Sequence, residues 1–112
     1  MKLQVQAQSV RVRLSEDELG ALLTEGRCGD LTSLGTLVRW QREVILVPFV
    51  VGGLAIEGGT WSLHVPRAAF EAFAGQRPRR DGFLLPGNYC AGLNITIEVD
   101  VRDSRKRMPR SS

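Results

Sequence analysis

The chain has 112 residues, 43% of them apolar and 24% charged, with a formal net charge of +3. That length supports one hydrophobic core, not two. The start lacks the continuous apolar region of a signal peptide, and the longest apolar run, Val44 to Val51 with Pro48 inside it, is far short of the roughly 20 residues that span a membrane, so the sequence reads as a soluble, cytoplasmic domain.

Residues 1–7 alternate, with Met1, Leu3, Val5 and Ala7 on one face and Lys2, Gln4 and Gln6 on the other. This predicts a half-buried strand. Val10 to Leu14 alternates again and makes a hairpin with it. A helix follows at once. Ser15 and Glu18 form a capping box, Leu14 and Leu19 a hydrophobic staple, and Gly26 stands ready as the C-terminal cap. Residues 27–35 show little pattern. Thr36 to Gln41 and Val44 to Val51 read as two strands, the second covered on both faces, with Pro48 marking a sheet edge or bulge. Gly52-Gly53 and Gly58-Gly59 read as turns around a short strand.

Thr60 to Val65 then alternates and runs into a second helix with Pro66 at its first position. Ala69, Phe70 and Phe73 form the buried stripe of that helix. Residues 76–82 are a polar loop, 82–85 a short strand, and Pro86-Gly87-Asn88 a turn. Leu93 to Val101 alternates strictly. Residues 103–112 have no apolar pattern and read as a basic, disordered tail on a single domain of residues 1–102. The tail is expected to be dispensable for folding.

Ser9 to Gly26 and Thr60 to Gly75 share one pattern: three alternating apolar residues, a helix starter, apolar residues at helical spacing, and a closing Gly. A period-two pattern passing directly into a 3.6 period is a strand running into a helix. The expected fold is α+β: a curved, mostly antiparallel sheet with two helices and a pseudo-twofold strand–helix repeat.

The chemistry-bearing residues are few. Two cysteines, Cys28 and Cys90, and one histidine, His64, fall below the four ligands of a structural zinc site, and without an export signal the cysteines read as reduced thiols. Nothing in their spacing pairs a nucleophile with a base, no glycine-rich phosphate loop occurs, and no cofactor or metal is expected. Arg11 and Arg13 share one strand face, as do Ser62 and His64 at the matching repeat positions. Around a twofold axis, Arg11, Arg13 and His64 would line one concave surface able to hold a carboxylate or phosphate. The plainer reading pairs these arginines with Glu98 and Asp100 on a neighbouring strand. Glu98-Val99-Asp100-Val101-Arg102 is similar to the acidic-x-acidic-x-basic strand of triphosphate tunnel enzymes, but no other strand offers a second acidic pair.

Positive charge is uneven. Residues 102–112 hold five basic residues and one acid, which leaves residues 1–101 at −1. Arg77, Arg79 and Arg80 in the polar loop, and Arg105, Lys106 and Arg107 in the tail, are the concentrations that could contact a phosphate backbone.

The start M-K-L-Q-V-Q-A-Q-S-V-R-V-R-L-S-E-D-E-L resembles a family of short, uncharacterised bacterial proteins that open with M-K-hydrophobic-x-hydrophobic and then S-[IV]-R-[LV]-R-L-[ST]. Met1, Lys2, Ser9, Arg11, Arg13, Leu14 and Ser15 carry the match, which extends loosely through Thr60 to Ala69 and Leu93 to Asp100. The basic tail is not a family feature. The resemblance implies the fold and supplies no activity. Three functions are carried forward: a non-catalytic domain that binds a protein partner, a ligand or a second copy through the Arg11/Arg13 face or an edge strand such as that of Pro48; a weak, sequence-independent nucleic-acid binder; and a small enzyme acting on an anion.

Overall fold

The computed structural model describes residues 1–76, 82–85 and 88–100. Val101, Pro86-Gly87, the tail, and Arg77, Arg79, Arg80, Arg105, Lys106 and Arg107 lie outside the described residues. The chain is α+β. Its strands are β1 (Lys2–Gln6), β2 (Ser9–Leu14), β3 (Arg27–Leu34), β4 (Val38–Val47), β5 (Gly53–Glu57), β6 (Thr60–Pro66), β7 (Phe83–Leu84) and β8 (Asn94–Val99); α1 (Glu16–Glu25) follows β2 and α2 (Arg67–Ala74) follows β6. They form two four-stranded sheets rather than one, in the orders β1-β2-β8-β7 and β3-β4-β6-β5.

Within each sheet two antiparallel hairpins meet at a parallel central pair, β2 with β8 and β4 with β6. Each sheet therefore takes one hairpin from each half of the chain. Both repeat segments, Ser9 to Gly26 and Thr60 to Gly75, run from strand into helix. β1–β2 and β5–β6 each turn through two residues, and the first turn residue has positive φ in both, +49° at Ala7 and +59° at Gly58.

Val10, Val12, Leu14, Ile95 and Ile97 of the first sheet and Val44, Leu46, Leu63 and Val65 of the second are buried in one core with Leu19, Leu22, Phe70 and Phe73 of the helices. α2 lies against β4 and β6 of the second sheet, while Phe70 meets Phe83 of the first sheet edge-on, with centroids 5.4 Å apart. The helices thereby bind the sheets together. At Ser15 the capping box forms as predicted: the Glu18 N–H donates to Ser15 Oγ at 3.1 Å and the Ser15 N–H to Glu18 Oε1 at 2.9 Å. Gly26 closes α1 at φ +82°. Pro66 sits one position earlier than predicted, as the residue before α2.

Three readings change. Residues 27–34 are a full strand. β4 is one ten-residue strand through Arg42 and Glu43, not two. It is central, between β3 and β6, and stops at Val47 before Pro48, so Pro48 marks neither an edge nor a bulge. The covered strand expected over Val44–Val51 holds only to Val47 and then gives way to an exposed loop: Phe49, Val50 and Val51 are 67%, 82% and 42% exposed. Among the described residues, no helix is long and apolar enough to cross a membrane.

Candidate functional site

The sequence candidates are distributed over the two sheets. Arg11 and Arg13 stand on the outer face of β2, alternating with buried Val10, Val12 and Leu14. Both pair with Glu98 of β8: Arg11 Nε lies 3.3 Å from Oε2 and Arg13 Nη2 lies 3.2 Å from Oε1. His64 belongs to the other sheet, on β6 between buried Leu63 and Val65. The three residues are not brought together on one surface.

His64 has a different neighbour. Its Nδ1 is 3.0 Å from the Tyr89 hydroxyl. Tyr89 reaches it because the Tyr89 N–H donates to the Gly52 carbonyl at 2.8 Å and its ring lies over Gly53, where a Cβ would meet ring carbon at 2.7 Å. At Gly52 a Cβ would fall 2.0 Å from the His64 carbonyl oxygen. The Gly52-Gly53 pair is thus required by close approach of two backbones and an aromatic ring. Cys90 continues the same strap: Leu54 N–H donates to its Sγ, and Sγ–H donates to the Leu54 carbonyl, both at 3.3 Å.

On the strand next to His64, Glu43 of β4 accepts from Ser62 Oγ at 2.7 Å and from Arg27. The Ser62 hydrogen bond leads in holding the Glu43 carboxyl below its ordinary range; burial opposes it, and Arg27 adds to it. A carboxylate so stabilised is a poor base for activating Ser62. Cys28 is equally unsuited to catalysis, since burial pushes its thiol up to about 11. Among the described residues, no group of three His, Cys, Asp or Glu is placed to hold a metal.

A second polar cluster lies between the sheets, and the sequence did not reveal it. Arg42 points inward and is only 7% exposed. It pairs with Asp30 at 3.2 Å, donates to Thr32 Oγ1 at 2.8 Å, and stacks on Trp40, which meets Trp61 edge-on. Asp30 also lies 3.6 Å from the Met1 amino group, which pairs with Glu18 at 2.7 Å. Burial pulls the Asp30 carboxyl upward, but its bonds to Arg42 and to the Leu31 N–H and the charges of the amino group and Arg42 leave it lowered. Beside the cluster is a small open cleft of about 20 Å³, walled by Met1, Leu3, Val12, Leu54, Trp61 and Arg42. Arg42 and the amino group thus face the carboxylates of Asp30 and Glu18 there.

No family model, curated protein or solved structure matches this chain.

Proposed function

We propose that this is a non-catalytic protein-interaction domain whose contact surface is the loop between β4 and β5, with Tyr89 beside it. The observation that carries the reading is the exposure of Phe49, Val50 and Val51 in succession. Three consecutive exposed apolar residues are costly on a free surface and are the kind of patch a partner covers. Tyr89, 53% exposed, is held next to the loop through Gly52, and rigid aromatic side chains are characteristic anchors of interfaces. His64, bonded to the Tyr89 hydroxyl, belongs to this surface. The alternative of an enzyme acting on an anion has less support, since Arg11 and Arg13 stand on the first sheet and His64 on the second. The arrangement of one hairpin from each half in each sheet supports a duplicated hairpin–helix–hairpin unit as the origin of the fold.

The test is site-dependent association. Val50→Asp, outside the core, is expected to remove the protein from a larger assembly sedimenting in extract of its source organism, while Arg39→Asp on the exposed end of β4 does not. Equal behaviour of both variants and the parent chain contradicts the reading.

A further inference from the structure

We infer that the outer face of the first sheet is a docking face for the phosphate backbone of a nucleic-acid duplex, independent of the apolar loop. Strand pairing places Lys2, Arg13 and Glu98 in one row across β1, β2 and β8, Gln4, Arg11 and Thr96 in the next, and Gln6, Ser9 and Asn94 in a third. All nine side chains can form hydrogen bonds and none is apolar; Leu84 on the edge strand β7 is the apolar residue beside them. Three are cationic and one is an acid, with Asp100 following at the end of β8. Arg11 and Arg13 share the single Glu98 carboxylate and remain 49% and 41% exposed, so the pair carries one positive charge more than its acceptor.

Gly82 lies against β8, where a Cβ would meet Thr96 Cγ2 at 2.7 Å and Glu98 Cγ at 3.0 Å, and the basic stretch 77–80 is joined to the fold through it. In the sequence, the basic stretch from Arg102 follows that same end of β8, since Gly82 stands opposite Glu98 and β8 ends at Val99. Those stretches lie outside the described residues and form no part of the face, but their points of attachment do. Among the described residues, the face with Asp100 holds three basic and two acidic residues, and the remainder four basic and eight acidic. The face is thus the net-positive part of a set of described residues that is otherwise net negative.

The chemistry selects the occupant. A protein interface needs an apolar or aromatic centre, which the three rows lack. A single strand of nucleic acid needs aromatic platforms for its bases, and the rows offer none. Arg, Lys, Gln, Asn, Ser and Thr on a flat surface are the donors that contact phosphate and sugar without reading sequence. Phosphates would take over the arginine bonds now made to Glu98, and that exchange distinguishes the proposal from simple attraction to the basic tail.

The test is fluorescence anisotropy of a labelled 20-base-pair duplex of arbitrary sequence with the full chain at ~50 mM salt, where phosphate contacts are strong. The parent chain is expected to bind with affinity that falls steeply with salt. The double variant Arg11→Gln/Arg13→Gln should bind about tenfold more weakly, with a log–log salt slope smaller by about 2. Glu98→Gln should bind severalfold more tightly, because it frees both arginines. Melting curves establish that each variant is folded. Absence of binding by the parent, unchanged affinity in the double variant, or weaker binding by Glu98→Gln overturns the proposal. Equal or tighter binding of a 20-nucleotide single strand, or of polyglutamate, would assign the face to another occupant and overturn it as well.

Discussion

The Arg42 guanidinium lies 4.6 Å from the centre of the Trp40 ring, on the inner face of the second sheet. A strand that places a charge inward among apolar residues must supply partners for it. Here Asp30 and Thr32 of the neighbouring strand do so, and Trp40 covers the planar group. Arg42→Met should destabilise the fold by about 1–3 kcal/mol through the lost hydrogen bonds and ring contact. Urea midpoints of Arg42→Met, Asp30→Asn and the double variant should show coupling; strictly additive losses would contradict the pairing.

Phe70 is fully buried against Phe73 and Phe83, and Leu19 anchors α1 beneath its cap. Phe70→Ala should cost about 3–5 kcal/mol and Leu19→Ala about 2–5. Equilibrium unfolding measures both. The larger loss is expected at Phe70, since its contacts tie α2 to the edge of the other sheet.

These elements show what the sequence makes legible. Local signals are sufficient where a residue acts on its immediate neighbours in the chain. Ser15, Glu18 and Gly26 delimit α1 in this way, and alternation sets Ile95 and Ile97 inward. Charge at Arg42-Glu43 looked like a break between strands because the partners that make Arg42 tolerable inside come from β3, a strand with little apolar periodicity of its own. The Val44–Val51 run looked like a covered strand because hydropathy cannot distinguish burial in a core from exposure on a contact loop. Gly52-Gly53 looked like a turn; its requirement comes from the His64 backbone, 12 residues from Gly52, and the Tyr89 ring, 36 residues from Gly53. The two-sheet arrangement follows from the parallel β2/β8 and β4/β6 pairings, which are long-range and leave no local mark.

Ala7 occupies a left-handed turn position with φ +49°, where the corresponding turn of the second half has Gly58. An L residue with a Cβ is strained there. Ala7→Gly should raise stability by about 0.5–1 kcal/mol despite the greater freedom glycine gives the unfolded chain. A lower denaturation midpoint would show that the turn relaxes differently.

Glu43 and Asp30 both have carboxyl groups held below their ordinary values of 4.5 and 3.8. For a depressed carboxyl, the stabilisation is present above the unfolded value and is lost as pH falls through the folded one. Stability should therefore decline as pH drops below about 4.5, as protonation weakens the bonds of Glu43 to Ser62 and Arg27 and of Asp30 to Arg42. Glu43→Gln should be less stable than the parent at neutral pH and show a shallower acid decline. Parallel acid limbs for the two proteins would remove Glu43 from this role.

The most direct test of the interaction surface is site-specific photo-crosslinking in the source organism, with a photoreactive phenylalanine analogue in place of Phe49 or Val50 and, as control, at the likewise exposed Leu37 of the β3–β4 turn. A discrete covalent product, with one recurring protein or with a second copy of this chain, is expected from positions 49 and 50 but not from position 37. Introducing Val50→Asp beside the probe at position 49 should abolish it. No discrete product from the loop, or the same product from all three positions, would contradict the account.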